Sequence, residues 1–446
     1  CDWSSDVCSS DLIRNSSVFV NFEKAVLNCM PEDGGLYVPV DDVDMSRWIL
    51  YINKETSFQS IAGALTSALI NDEFSPIICE TIATRAFPFE PAVKRLDTNL
   101  YVLELFHGPT GSHKDFGISY LVSCVDTILY FQKKQAVFVD VTSGELGASL
   151  ARELRGAKKI KAVLVYPKGK MRGLKASDLI ENGGNICAIE VDGTEEDCHK
   201  IIRQVFNNRP LVEKYGLTVA NTANIGRLFP QTFFYPYAFS RIKDEVFSDI
   251  YYSLAAGNYS NVVAGLYSWK YSLPVKGFII PANANLSVDA KGDCTMLDSM
   301  IPLLEREKAN PADPSNLERL ENVFKQYSLL MKSLVFTSHV SENEEESACK
   351  ELYMRYGYIA DSHTSRAFAA AQKQSERFCG DGVTVLVARD DPAFDSEAIR
   401  HNLGEAPEVR DEIAVLFEPF TQKKEPVAFY AAFDVISETL AEIAKM

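Results

Sequence analysis

FHGPTGSHKDFG, from Phe106 to Gly117, decides how the rest of the chain is read. It follows the apolar run LYVLELF (residues 100–106, overlapping it at Phe106), turns through Gly, Pro, Thr, Gly and Ser, and opens a helical stretch at Lys114. A strand, a small-residue turn and a helix start, in that order, mark the carboxyl end of a strand in an open α/β sheet, where such folds bind ligands. An ammonium at a helix start meets the positive end of the helix dipole, which favours the nucleophilic amine. A lysine in that place is more often a solvated side chain, so spacing alone makes Lys114 a candidate and no more.

The same alternation continues outward. AVFVDVT (136–142), IKAVLVYP (160–167), NICAIEV (185–191), SLAAG (253–257) and VKGFIIPA (275–282) are short apolar runs. Amphipathic stretches of helical length, such as Gly147–Arg155 and Glu195–Asn207, lie between them. Continuous apolar strands separated by helices predict an α/β fold with buried parallel sheets and βαβ units. Two further turns repeat the strand–turn–helix pattern. In VTSGELGASLA (Val141 to Ala151) the Thr142 and Ser143 hydroxyls and nearby amides suit a carboxylate, although an ordinary capped turn reads the same way. In AAGNYSNVVAG (Ala255 to Gly265) amides from Gly257 onward suit a phosphate.

A chain of 446 residues is too long for one core and predicts two or three domains. Lys and Arg number 45 against 61 for Asp and Glu, a net charge of −16 that disfavours nucleic acid but leaves room for one small anion held locally. The 10 cysteines form no CxxC pair and no zinc spacing, so no metal is expected, and they read as small buried hydrophobes in a reducing, cytoplasmic setting. No apolar run approaches the roughly 18 residues that cross a bilayer, so no membrane partner is expected. CDWSSDVCSSDL (Cys1 to Leu12) has neither the basic start nor the apolar centre of a signal peptide, and reads as a translated sequencing adaptor outside the native fold.

Many motifs in one order make the chain resemble threonine synthases of the longer bacterial and fungal type, within the fold-type II pyridoxal 5′-phosphate (PLP) enzymes. The resemblance runs from about Asn21 to at least Ala393 and rests on DGGLYVP (33–39), ELFHGPTGSHKDFG, TSGELGA, YPKGK, NGGNICAIEVDGTEEDC, NTANIGRLFPQ, AGNYSN, DPSNLERL (313–320) and DSHTSRAFAA (361–370). It implies a tryptophan-synthase-β-like fold of two open, mostly parallel α/β domains plus an N-terminal domain. The expected bounds are 13–95 for the N-terminal domain, 132–220 for the small one, and 96–131 with 221–446 for the large PLP-binding one. Lys114 falls on the Schiff-base lysine. Gly257, Asn258, Tyr259, Ser260 and Asn261 fall on the loop for the cofactor phosphate, with Arg389 also beside the cofactor. Ser143, Gly144, Glu145, Asn224 and Arg227 fall on substrate-facing positions, Arg227 where the family carries a phosphate-binding arginine; a surface arginine is the alternative there.

Four places depart from the family pattern. His113 stands where the family has Phe, TSGELG replaces TSGDTG, and GNYSN replaces GNFGD. VLVARDDPAF (385–394) replaces a Ser/Thr-Ala-His-Pro-Ala segment, putting Arg389, Asp390 and Asp391 near the pyridine nitrogen. The implied activity is conversion of O-phospho-L-homoserine and water to L-threonine and phosphate by a monomer or homodimer. Two other readings stay open: a lyase or dehydratase acting on another hydroxy- or phospho-amino acid, and a non-catalytic homologue that keeps PLP.

Overall fold

The computed structural model describes residues 10–40, 43–70, 73–132, 134–296, 301–325, 328–377, 382–422 and 424–445. Most of the segment set aside as an adaptor, residues 1–9, lies outside them. Its last three residues form strand β1 (Ser10–Leu12), which pairs antiparallel with β2 (Asn15–Val20) on one side and β3 (Tyr37–Pro39) on the other.

Two helices, Phe58–Ile70 and Pro76–Ala86, complete the leading unit. The second starts with proline at its first position, where a missing N–H costs nothing. Phe58 is fully buried and anchors this unit to the body of the protein. Its ring lies 4.9 Å from Phe87, 5.3 Å from Phe116 and 5.4 Å from Tyr237, all edge-on, and 6.2 Å from Phe234.

The chain then builds two sheets. β4 (Ala92–Asp97) and β5 (Leu100–Glu104) form a hairpin, and the helix Lys114–Gln132 leads to the second sheet. There β6 (Ala136–Val141), β7 (Ile160–Pro167), β8 (Ile186–Asp192) and β9 (Leu217–Thr218) run parallel. Returning to the first sheet, the chain adds β10 (Ile250–Ser253) and β11 (Gly277–Pro281). A separate antiparallel pair follows, β12 (Leu286–Val288) with β13 (Cys294–Met296). β14 (Val335–Ser338) and β15 (Val383–Ala388) complete the first sheet, whose order is β14-β11-β10-β15-β5-β4, parallel except for β4.

The apolar runs read from sequence become strands at nearly the same residues, with one displacement. SLAAG contributes only Ser253 to a strand; the strand itself is IYYS, and the rest of the run is the turn that follows it. The C-terminus also differs from the expected bounds. β16 (Val427–Ala428) pairs in parallel with β8, so the second sheet reads β16-β8-β7-β6-β9. The helix Ala432–Ile443 packs Ile436 and Leu440 into the same core as Val139, Val165 and Ile189. The segment after residue 426 thus belongs to the small unit, because its apolar face is buried there.

Among the described residues no helix is long and apolar enough to cross a membrane. Replacing Phe58 by Ala removes the anchor ring and leaves a cavity between the leading unit and the helices that carry Phe116, Phe234 and Tyr237. The expected cost is about 3–5 kcal/mol, read as an earlier denaturation midpoint in urea.

Candidate active site

β5, β15 and β10 are neighbours and all parallel, so their carboxyl ends open on one edge of the first sheet. The turns after them carry Lys114, Arg389 and Gly257. The Lys114 turn is closed from inside its own helix. Asp115 accepts hydrogen bonds from the Thr110 amide and hydroxyl, both at 2.7 Å, which folds residues 110–115 into a tight loop ahead of the helix. The end of β15 then clamps this loop. The His113 amide donates to the Arg389 carbonyl at 2.7 Å, and the Asp391 amide donates to the Gly111 carbonyl at 2.8 Å.

Lys114 projects toward the second sheet. Its Nζ lies 3.0 Å from Glu145 Oε2, at the first residue of the helix Glu145–Glu153 that follows β6. Thr142 holds that turn open by accepting from the Gly144 amide at 3.3 Å and the Gly147 amide at 3.1 Å. Ser143 and Gly144 stand on the exposed side of this turn, and nothing crowds the position a Gly144 side chain would take.

The GNYSN turn leads into the helix Ser260–Lys270. Gly257 has φ +49° and Tyr259 φ +67°, the left-handed region that aims successive amides at one side. Within the turn the Tyr259 amide donates to the Ala256 carbonyl at 2.9 Å and the Ser260 amide to Asn258 Oδ1 at 3.3 Å; the other first amides of the helix have no acceptor within it and present donors where the dipole is positive. The side chains of the turn are used internally. Asn258 Nδ2 donates to Thr222 Oγ1 at 2.9 Å and to the Pro314 carbonyl at 3.2 Å. Tyr259 OH reaches Asn283 Oδ1 at 2.9 Å, and Asn261 Nδ2 reaches Gln231 Oε1 at 2.8 Å. Ser260 is buried at the helix start.

Arg389 closes the gap between Lys114 and this turn. A Cβ added to Gly257 would come within 2.7 Å of its Nη1, and its Nε is buried without a hydrogen-bond partner among the described residues. Arg227 is a second such cation. It is 3% exposed, packs its guanidinium on Gly117 one turn into the Lys114 helix, and leaves Nε and Nη1 without partners. Burial pushes it down to about 10, with Asp115 and Asp140 acting the other way. The surface-arginine alternative is therefore overturned by its burial. Asn224 behaves otherwise: its Nδ2 donates to the Val26 carbonyl and Thr218 Oγ1, and its Oδ1 caps Gly226, so its side chain is tied into the start of its own helix.

Sequence reasoning left DPSNLERL without an assignment. Its Arg319, fully buried, donates to the carbonyls of Tyr37, Thr222 and Ala223 and to Asn316 Oδ1. Asn316 in turn donates to Thr222 Oγ1 at 3.0 Å and to the Asn258 carbonyl at 3.1 Å. This network ties the leading unit to the back of the GNYSN turn.

An amine, an amide cradle and guanidinia on one edge of a parallel sheet define a PLP-dependent enzyme, and the family model for pyridoxal-phosphate dependent enzymes matches residues 80–234. That for the threonine synthase N terminus matches residues 13–87. The threonine synthase of Buchnera aphidicola subsp. Acyrthosiphon pisum is 31% identical over 365 residues, covering 81% of this chain and 84% of that one. The Escherichia coli enzyme is 28% identical, covering 90% and 92%. The crystal structure of threonine synthase from Escherichia coli superposes with a TM-score of 0.78 at 26% identity, over 96% of this chain and 99% of that one. A PLP-bound threonine synthase from Brucella melitensis shares the fold with a TM-score of 0.81 at 20% identity, over 99% and 100%. The chain belongs to the threonine synthase family.

The residues present fit PLP: the left-handed turn at Gly257 and the unpartnered Arg389 Nε suit its phosphate, and the Lys114 amine suits its aldehyde. Replacing Gly257 by Ala forces a side chain into the left-handed region and against Arg389. We expect affinity for PLP to fall by roughly tenfold or more, read by titrating the cofactor-free chain with PLP.

Proposed function

We propose that this chain converts O-phospho-L-homoserine and water to L-threonine and phosphate. The observation that carries the reading is Arg227, a buried guanidinium with two unpartnered nitrogens packed against the Lys114 helix. A buried guanidinium with nitrogens that lack hydrogen-bond acceptors is costly even with Asp115 and Asp140 nearby, and an anionic substrate group offsets that cost. In a chain of net charge −16, such a site is selective for the molecule that reaches it. A phosphate matches the planar fork of the guanidinium.

When bound, PLP supplies an aldehyde for an amine and a ring that takes up electrons from the substrate carbon. Lys114 is the group that moves protons at the carbons next to the substrate amine, since its Nζ lies at the mouth of the sheet edge. Glu145, 3.0 Å from that Nζ, holds the amine when it is free. Ser143 and Gly144 offer a hydroxyl and an amide to the substrate carboxylate from the same turn. Arg227 holds the substrate phosphate and orients it for departure. The helices after β5 and β6 pack side by side, Ser119 Oγ donating to Glu153 Oε2 at 3.0 Å, and closure of the second sheet on the first excludes bulk water until it is needed. We place this activity in the cytoplasm, in a monomer or homodimer with no nucleic-acid or membrane partner.

Lys114→Ala is expected to abolish the visible band of bound cofactor and to lower turnover by roughly 10³-fold or more, with phosphate release from O-phosphohomoserine as the assay. Retained turnover refutes the assignment. Arg227→Gln is expected to lower kcat/KM for O-phosphohomoserine by roughly 10- to 100-fold, the loss of one charge-assisted contact to phosphate. Kinetics with O-phosphothreonine, serine and threonine in parallel decide between this substrate and another hydroxy- or phospho-amino acid.

A further inference from the structure

We propose that His113 and Asp390 form a positioning pair for Lys114, fixing from the end of β15 both the orientation of the amine and the charge around it. The inference rests on the reading of Lys114 as the cofactor-binding lysine. Gly111, Ser112 and His113, three residues in a row, meet the stretch just beyond β15. Ser112 and Asp390 form an isolated antiparallel bridge, and Ser112 Oγ donates to Asp390 Oδ1 at 2.5 Å. His113 Nδ1 lies 3.3 Å from the same carboxylate oxygen. The Lys114 amide in turn reaches Ser112 Oγ at 3.3 Å. The residue before the lysine is thus held twice, by its backbone to Arg389 and by its ring to Asp390.

The protonation states follow from the surroundings. An ionised carboxylate only accepts, so Nδ1 of His113 is the protonated nitrogen of the ring. Burial pushes the imidazole down to about 4, with Asp390 opposing that shift and Arg389 and Arg227 adding to it, so the ring is neutral near neutral pH. For Asp390, burial acts to raise the proton affinity, but His113, Arg389 and Lys114 more than offset it and hold the carboxylate well below its usual range. Asp361, just before the helix Ser362–Arg377, is a further carboxylate facing this group. Asp390 therefore keeps a negative charge on the backbone side of Lys114, while Glu145 supplies one from the second sheet. A clasp that served stability alone would need no charge, because apolar partners of the same shape are often as stable.

Asp390→Asn, His113→Phe and His113→Asn test the pair in the full chain, with Glu145→Gln measured beside them. Asparagine at position 113 keeps a donor close to the place of Nδ1; phenylalanine does not. In the PLP-loaded chain, Asp390→Asn is expected to lower the pH midpoint of the visible band by roughly one unit, since a lost negative charge disfavours the protonated nitrogen. In the cofactor-free chain, the same variant is expected to speed acylation of Lys114 at neutral pH by roughly tenfold, mapped by mass spectrometry. His113→Phe is expected to lower kcat by roughly tenfold with KM little changed, and His113→Asn to recover most of that loss. The pair is overturned if Asp390→Asn, folded with wild-type melting behaviour, leaves both the midpoint and the acylation rate unchanged. It is equally overturned if His113→Asn is as impaired as His113→Phe. Absence of any cofactor band in the wild-type chain instead refutes the function proposed above, and the acylation rates still decide the pair.

Discussion

Parallel pairing of β5, β15 and β10 is the constraint from which the rest of this site descends. In a parallel sheet every carboxyl end faces one edge, and side-by-side strands bring their outgoing turns within side-chain reach of one another. Lys114 and Gly257 are far apart in the chain and meet only because β15 lies between their strands. Arg389, the first residue beyond that middle strand, has its backbone on the lysine's loop and its guanidinium on the glycine turn. Register at Ala388, opposite Glu104, sets how far each turn extends beyond the sheet.

Charge is distributed with similar economy. The surface carries a large excess of carboxylates, yet the crevice holds two guanidinia with unpaired nitrogens, Arg227 and Arg389. Taking a cation out of water without an acceptor opposes folding, so stability given up here is held in reserve for binding. The Thr222–Asn316–Arg319 network does the opposite work. Its polar atoms find partners in carbonyls and amides, and it stiffens the back of the phosphate turn against the leading unit.

Much of this was legible from residue order, and the reasons for the remainder are physical. Buried parallel strands are apolar on both faces, so AVFVDVT and IKAVLVYP announce themselves as continuous runs. The strand at 250–253 was displaced because tyrosines at 251 and 252 read less like core than the alanines that follow. Turn chemistry made Lys114 and Gly257 visible. Asn224 was less legible because an asparagine at a helix start serves a cap as readily as a ligand, and its partners here, Val26 and Thr218, lie far off in the chain or across a turn. The Ser112–Asp390 contact joins residues 278 positions apart, a separation at which no local pattern carries information. Two departures from the family pattern, the histidine at 113 and the aspartate at 390, are in space a single hydrogen-bonded feature.

The return of the final segment to the second sheet has a bearing on biosynthesis. β16 covers the edge of β8, and Ala432, Ile436, Leu440 and Ile443 fill a core otherwise assembled from residues translated far earlier. Until residues 427–443 leave the ribosome, that sheet has an open edge and a vacant apolar groove, while the leading unit already has its own helices in hand. The small unit is therefore complete only once residues 427–443, far along the chain from its other strands, have been made.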